Sequence, residues 1–159
     1  RKYPYRGVVT LYGLTVYIET WKGEVRSGTD PDGNEWSVEM PAHYGEIKGI
    51  PGLDGDDLDI FVGDYPDSDM VWIVDIQKVV PDPRDPLGID EQKVFLAFPS
   101  RDAVLEAYLA AYQRPGLFVT CRGVPVDEFV QTVRTHSSGP IVLDELEFIT
   151  VHPGGGRGT

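Results

Sequence analysis

Met40-Pro41-Ala42-His43-Tyr44-Gly45-Glu46-Ile47-Lys48-Gly49, followed after three residues by Leu53-Asp54-Gly55-Asp56-Asp57-Leu58-Asp59-Ile60-Phe61-Val62, is the stretch on which the fold turns. Gly52 and Gly55 mark a turn, and the apolar run that follows predicts a strand over Leu58–Val62. Asp54 and Asp56 then leave a loop, and Asp59 stands at the strand's start. Carboxylates converging there repel one another, and a hard cation relieves the repulsion. Oxygen donors without His or Cys beside them favour Mg²⁺, Mn²⁺ or Ca²⁺ over Zn²⁺. The competing reading is a solvated acidic turn, since Asp-x-Asp-x-x-Asp is a common spacing in a chain with 16 Asp. A calcium loop of the EF-hand kind does not fit. Counted from Asp54, its sixth and twelfth positions are Asp59 and Tyr65, not Gly and Glu.

Outward from this stretch, 18 Gly and 13 Pro divide the chain into short segments. Alternating or β-branched runs predict strands over Leu14–Thr20, Glu35–Met40, Leu58–Val62, Met70–Ile76, Lys93–Phe98 and Leu117–Val124. Asp30-Pro31-Asp32-Gly33 predicts the turn of a hairpin over Val25–Met40 rather than a second metal loop. Ser100 is suited to cap a helix over Arg101–Gln113, with Val104, Leu105, Tyr108, Leu109 and Tyr112 on its apolar stripe and Pro115-Gly116 as its stop. A shorter helix is expected over Val126–Arg134. Many short strands and two late helices predict an α+β domain on a small closed β-barrel. Its expected extent is residues 1–136, with residues 137–159 a C-terminal extension that ends in the Gly-rich run Gly154–Gly156.

Composition narrows the function. At 159 residues the chain is one domain by length. Lys plus Arg number 14 against 26 Asp plus Glu, a formal charge of −12. Such a surface repels nucleic acid and anionic membranes, which need clustered cations. No apolar run reaches the roughly 20 residues of a membrane-spanning helix. One cysteine, Cys121, cannot form an internal disulfide, and on its apolar strand it reads as a small hydrophobe. Trp21, Trp36 and Trp72 read as core or sheet-packing residues, and His43, His136 and His152 lack ligand spacing.

Taken together, Met-Pro-Ala-His-Tyr-Gly-Glu-Ile-Lys-Gly and Leu-Asp-Gly-Asp-Asp-Leu-Asp-Ile-Phe-Val resemble the core of soluble family I inorganic pyrophosphatases. There a Pro-x-x-Tyr-Gly-x-Ile strand leads into the Asp-Gly-Asp motif. The Val25–Gly33 stretch and Asp90-Glu91-Gln92-Lys93-Val94 look closer still to pyrophosphatase-like domains of phage and prophage polyvalent and head-associated proteins. The resemblance spans roughly residues 14–134. It implies an oligonucleotide-binding-like barrel with two flanking helices, several Mg²⁺ ions (Mn²⁺ as a substitute), and hydrolysis of pyrophosphate to two phosphates. By match, Asp54, Asp56 and Asp59 bind metal, and Asp56 also helps deprotonate the attacking water. The later acidic pair is Asp82 or Asp85 and then Glu91 or Asp90, with Glu19 as an early ligand. Tyr44 and Tyr112 contact phosphate, Tyr44 at the reacting centre. Lys22 or Arg26, with Lys93 and Arg114, clamp the phosphates.

Three positions depart from the pattern. Asp57 replaces the usual Pro or Glu, Trp36–Pro41 holds no basic residue, and Gln113 stands for a lysine. Two other readings therefore stand beside pyrophosphatase: a structural or assembly protein of a phage virion, and a hydrolase of another phosphoanhydride such as a nucleotide. The partners implied are pyrophosphate or a similar small phosphate, with a homo-oligomer or phage structural proteins as the macromolecular ones. The matching locations are the cytoplasm, the host's if phage-encoded, or the virion.

Overall fold

The computed structural model describes residues 5–52, 57–77, 89–112 and 119–135. The elements run β1 (Gly7–Leu11), β2 (Leu14–Thr20), β3 (Val25–Thr29), β4 (Glu35–Glu39), β5 (His43–Pro51), β6 (Asp57–Val62), β7 (Met70–Gln77), β8 (Ile89–Leu96), α1 (Arg101–Tyr112), β9 (Val119–Pro125) and α2 (Val126–Thr135). Seven strands form one sheet in the order β1-β2-β5-β6-β8-β7-β9, and β3 and β4 form a separate hairpin. Among the described residues only the β6–β8 pair is parallel.

Strand periodicity sorts the core into two halves. Leu58, Ile60 and Val62 of β6, Val71 and Ile73 of β7, and Val94 and Leu96 of β8 pack with Leu14, Val16 and Ile18 of β2 against Phe129 and Val133 of α2. The intervening Phe61, Trp72, Val74 and Phe95 turn to the other face. There they meet Val104, Ala107, Tyr108 and Ala111 of α1, and Val38 and Met40 from the hairpin side. Both faces being covered, β7 reads as the nearly unbroken apolar run Met-Val-Trp-Ile-Val-Asp-Ile. Phe61 and Phe95 stack at 4.6 Å, a contact contributing about 0.5–1.5 kcal/mol beyond its buried area.

Two expectations change, and the tryptophans divide between core and sheet packing. Among the described residues the pairings run from β1 to β9 without joining these two strands, so the sheet is open rather than a closed barrel. Tyr12, at the β1–β2 turn, lines a groove together with Val126, Val130 and Arg134 of α2. The apolar stripe of α1 is rotated as well. Ala107 and Ala111 are buried while Leu109 is 53% exposed, because small side chains let the helix approach the aromatic sheet face. Finally, Trp36 is exposed and lies across Gly28 of β3, packing on the hairpin rather than in the core, whereas Trp72 is fully buried and donates its indole N–H to the Phe98 carbonyl.

Local signals explain the ends of elements. Asp30 Oδ1 accepts the N–H groups of Asp32 (3.0 Å) and Asn34 (2.8 Å), closing the β3–β4 turn. Ser100 Oγ accepts the Ala103 N–H at 3.2 Å, capping α1 as expected. β1 carries no strong signal of its own, since its turn is Tyr12-Gly13 with both residues in the left-handed region. No described helix is long and apolar enough to cross a membrane.

Candidate active site

Register builds the site. β5 and β6 pair so that Glu46 faces Asp59, and β6 and β8 pair so that Asp59 neighbours Lys93. The three residues therefore stand in one row across the sheet. Period-2 alternation puts them on the face that carries Tyr44 and Phe61. Gly45 makes this register attainable. A Cβ there would sit 1.8 Å from the Tyr17 carbonyl oxygen, so only glycine lets β2 and β5 approach.

Lys93 is 4% exposed and donates from Nζ to Asp59 Oδ2 and, at 3.3 Å, to Glu91 Oε2. Burial alone would push its ammonium down. Tyr112, Tyr44 and the carboxylates of Asp59 and Glu91 outweigh that and hold it well above the ordinary lysine value. The ammonium also lies 5.1 Å from the centre of the Tyr112 ring. Phe61 supports both tyrosines, with Tyr44 at 4.8 Å and Tyr112 edge-on at 6.0 Å. Burial raises both phenols, and the nearby Lys93 charge partly offsets it. Among the described residues the buried Tyr112 O–H meets no acceptor, while the Lys93 ammonium beside it can donate to its oxygen. Arg26, on β3, covers the other side of Tyr44 with its guanidinium 4.7 Å from the ring centre.

Of the residues singled out from sequence, Tyr44, Asp59, Glu91, Lys93 and Tyr112 thus come together, with Arg26 at their edge. Glu19 sits at the irregularity in the β2–β5 pairing and lines a cavity with Arg26. Lys22 does not join them. Its ammonium pairs with Asp64 at 2.5 Å, beyond the far end of β6, so Arg26 is the basic residue of that pair at the site. Asp54, Asp56, Asp82, Asp85 and Arg114 lie outside the described residues, as do His136 and His152. Asp90 lies on β8, but its side chain is outside them too. Sequence reasoning passed over Glu46, which is only 8% exposed. The signal was its place two residues after Tyr44 on one strand, which forces both onto one face.

The described residues include no group of three His, Cys, Asp or Glu arranged to hold a metal ion. Asp59 and Glu91 nevertheless already converge on one cation, the Lys93 ammonium. An all-oxygen set of this kind suits a hard divalent ion.

The family model described as Inorganic Pyrophosphatase matches residues 2–134. The chain belongs to the inorganic pyrophosphatase family. Comparison with curated proteins found no match, and comparison with solved structures found none. The family match runs from before β1 almost to the end of α2, so it takes in the whole sheet and both helices of the pyrophosphatase-like domain.

Cys121 on β9 packs against the same side of the sheet, under α1, and takes no part in the row. Burial pushes its thiol up to about 12, against a partial lowering by Arg101. Alkylation by iodoacetamide at pH 8 is therefore expected to run about 10³-fold slower than for an unhindered cysteine peptide, and to become fast in denaturant. Comparable rates with and without denaturant would contradict this placement.

Proposed function

We propose that this pyrophosphatase-like domain hydrolyses inorganic pyrophosphate to two phosphates in a Mg²⁺-dependent reaction. The observation that carries the reading is the Asp59–Lys93–Glu91 centre set against the buried Tyr112 hydroxyl, whose O–H has no acceptor among the described residues. A donor without an acceptor, beside an ammonium and a guanidinium, suits a phosphate oxygen. Asp54, Asp56, Asp59, Glu19, Glu91 and acids from Asp82, Asp85 and Asp90 would hold Mg²⁺ or Mn²⁺. When bound, these ions supply Lewis acidity and a water of lowered pKa.

The chain's own residues divide the remaining work. Tyr112 and Tyr44 donate to phosphate oxygens, and Lys93 and Arg26 offset the charge that builds on them. Asp56 accepts a proton from the attacking water. The bond broken is phosphorus to bridging oxygen, and a loose transition state leaves the protein mainly positioning and electrostatics to provide. The family match ending at residue 134 supports a domain boundary near 136. Cytoplasmic or virion location, and a phage parent, belong to the same proposal.

The test is phosphate release from pyrophosphate with and without Mg²⁺, with a nucleoside triphosphate as the competing substrate. Asp56→Asn is expected to lower release by about 10²–10³-fold. Equal release by the variant would remove Asp56 from the mechanism. Faster release from the nucleotide would favour the other phosphoanhydride reading. Folded wild type without metal-dependent release of either kind would leave the assembly role.

A further inference from the structure

Between β2 and β3, next to the site, lies a cavity of about 460 Å³. Its wall includes Glu19, Glu24, Arg26 and Ser27, and also Arg6, a residue just before β1. The Arg6 N–H donates to the Ile18 carbonyl at 2.7 Å, which fixes the residue to the edge of β2. Its side chain reaches across to Glu24, with Nη1 to Oε1 at 2.6 Å. Glu24 is itself held by the turn, since the same oxygen accepts the Trp21 N–H at 2.8 Å. Two guanidiniums, Arg6 and Arg26, thus border one cavity, and Arg26 is the wall shared with Tyr44.

Among the described residues β4 contains no Lys or Arg, and the Lys22 ammonium faces Asp64 and does not line this cavity. The cavity is large enough for a small ligand, and a guanidinium fork matches phosphate oxygens in pairs. Arg6 is half exposed, so its bond to Glu24 exchanges with solvent at little cost. We infer that Arg6 is a substrate-binding residue. With Arg26 it holds the phosphoryl group of pyrophosphate that faces away from the Asp59–Lys93 centre, giving up Glu24 for phosphate oxygens. Glu24 keeps the guanidinium poised at the rim when no substrate is bound. This inference rests on the pyrophosphatase reading.

The test pairs binding with turnover. Imidodiphosphate, whose bridging nitrogen resists hydrolysis, is titrated calorimetrically in the presence of Mg²⁺, and KM and kcat are measured with pyrophosphate. Arg6→Ala is expected to weaken imidodiphosphate binding and raise KM by roughly 10–100-fold with kcat nearly unchanged, as for loss of a charged hydrogen bond. Arg6→Lys should recover part of the loss. Glu24→Gln removes the carboxylate that competes with phosphate for Arg6 but keeps the guanidinium, and should bind imidodiphosphate at least as tightly as wild type. Wild-type binding by Arg6→Ala, or equal KM increases in Arg6→Ala and Glu24→Gln, would overturn the role of Arg6 alone. Wild type that neither binds imidodiphosphate nor hydrolyses pyrophosphate would overturn the pyrophosphatase reading and this inference with it.

Discussion

Replacing Lys93 with methionine should reduce Mg²⁺-dependent phosphate release by about 10²–10³-fold, the usual cost of removing one preorganised electrostatic contact. Methionine nearly conserves the volume of the stem, so the packing beside Tyr112 survives. What disappears is the ammonium shared by Asp59 and Glu91. Those carboxylates are about 28% and 32% exposed and can rehydrate, so the fold should lose only about 1–2 kcal/mol. The double variant Asp59→Asn with Lys93→Met removes both members of the closest pair and should regain most of that stability without regaining activity. Thermal melts and steady-state phosphate release on all three proteins separate the two effects. If Lys93→Met turned over like wild type, Lys93 would be a structural counter-ion only.

On the opposite face of the sheet the effect is reversed: stability should suffer and the chemistry should not. Asp75 is 7% exposed and accepts from Arg122 Nε at 2.9 Å and from Gln92 Nε2 at 2.7 Å, with Thr120 Oγ1 further off at 3.4 Å. Strand alternation points it away from Val74 and Lys93. Asp75→Ala removes the carboxylate paired with the Arg122 guanidinium, which is 14% exposed. Breaking such a pair from one side costs about 3 kcal/mol, or a fall of roughly 6–12 °C in Tm for a domain of this size. The specific activity of the folded fraction should stay at the wild-type level. Adding Arg122→Met should recover much of the Tm, because both members of the pair are then gone. An unchanged Tm in Asp75→Ala would mean that the pair contributes nothing to stability, and a lost kcat would couple this network to the site.

The chain's local signals carried much of the secondary structure. The strand expected over Leu14–Thr20, the Asp30–Gly33 turn, the Ser100 cap and both helices lie where their residues indicated, to within a residue or two at the ends. These features depend on contacts within a few positions, and residue type alone settles them. The motif stretch also pointed to Tyr44 and Asp59, and the family resemblance to Lys93. β1 escaped notice, as a five-residue strand closed by Tyr12-Gly13 announces itself weakly. Burial of the α1 stripe was misjudged for a different reason. Leu109 has the stronger hydrophobicity, but Ala107 and Ala111 have the size that the aromatic sheet surface admits.

Which side chains share a site is a matter of register, and register joins residues far apart in the chain. Asp59 meets Lys93, 34 positions later, only because β6 and β8 run parallel at that alignment. Glu46 joins the row, and Arg6 reaches the cavity of Arg26, through pairings that no local pattern encodes. The family resemblance left Lys22 and Arg26 as equal candidates, and Asp64 drew one of them away. From residue order alone came the elements, the excess of acid and the family's motif. The row of Glu46, Asp59 and Lys93, the two-sided core and the open ends of the sheet came from packing, since those contacts form only when distant strands bury their apolar faces together.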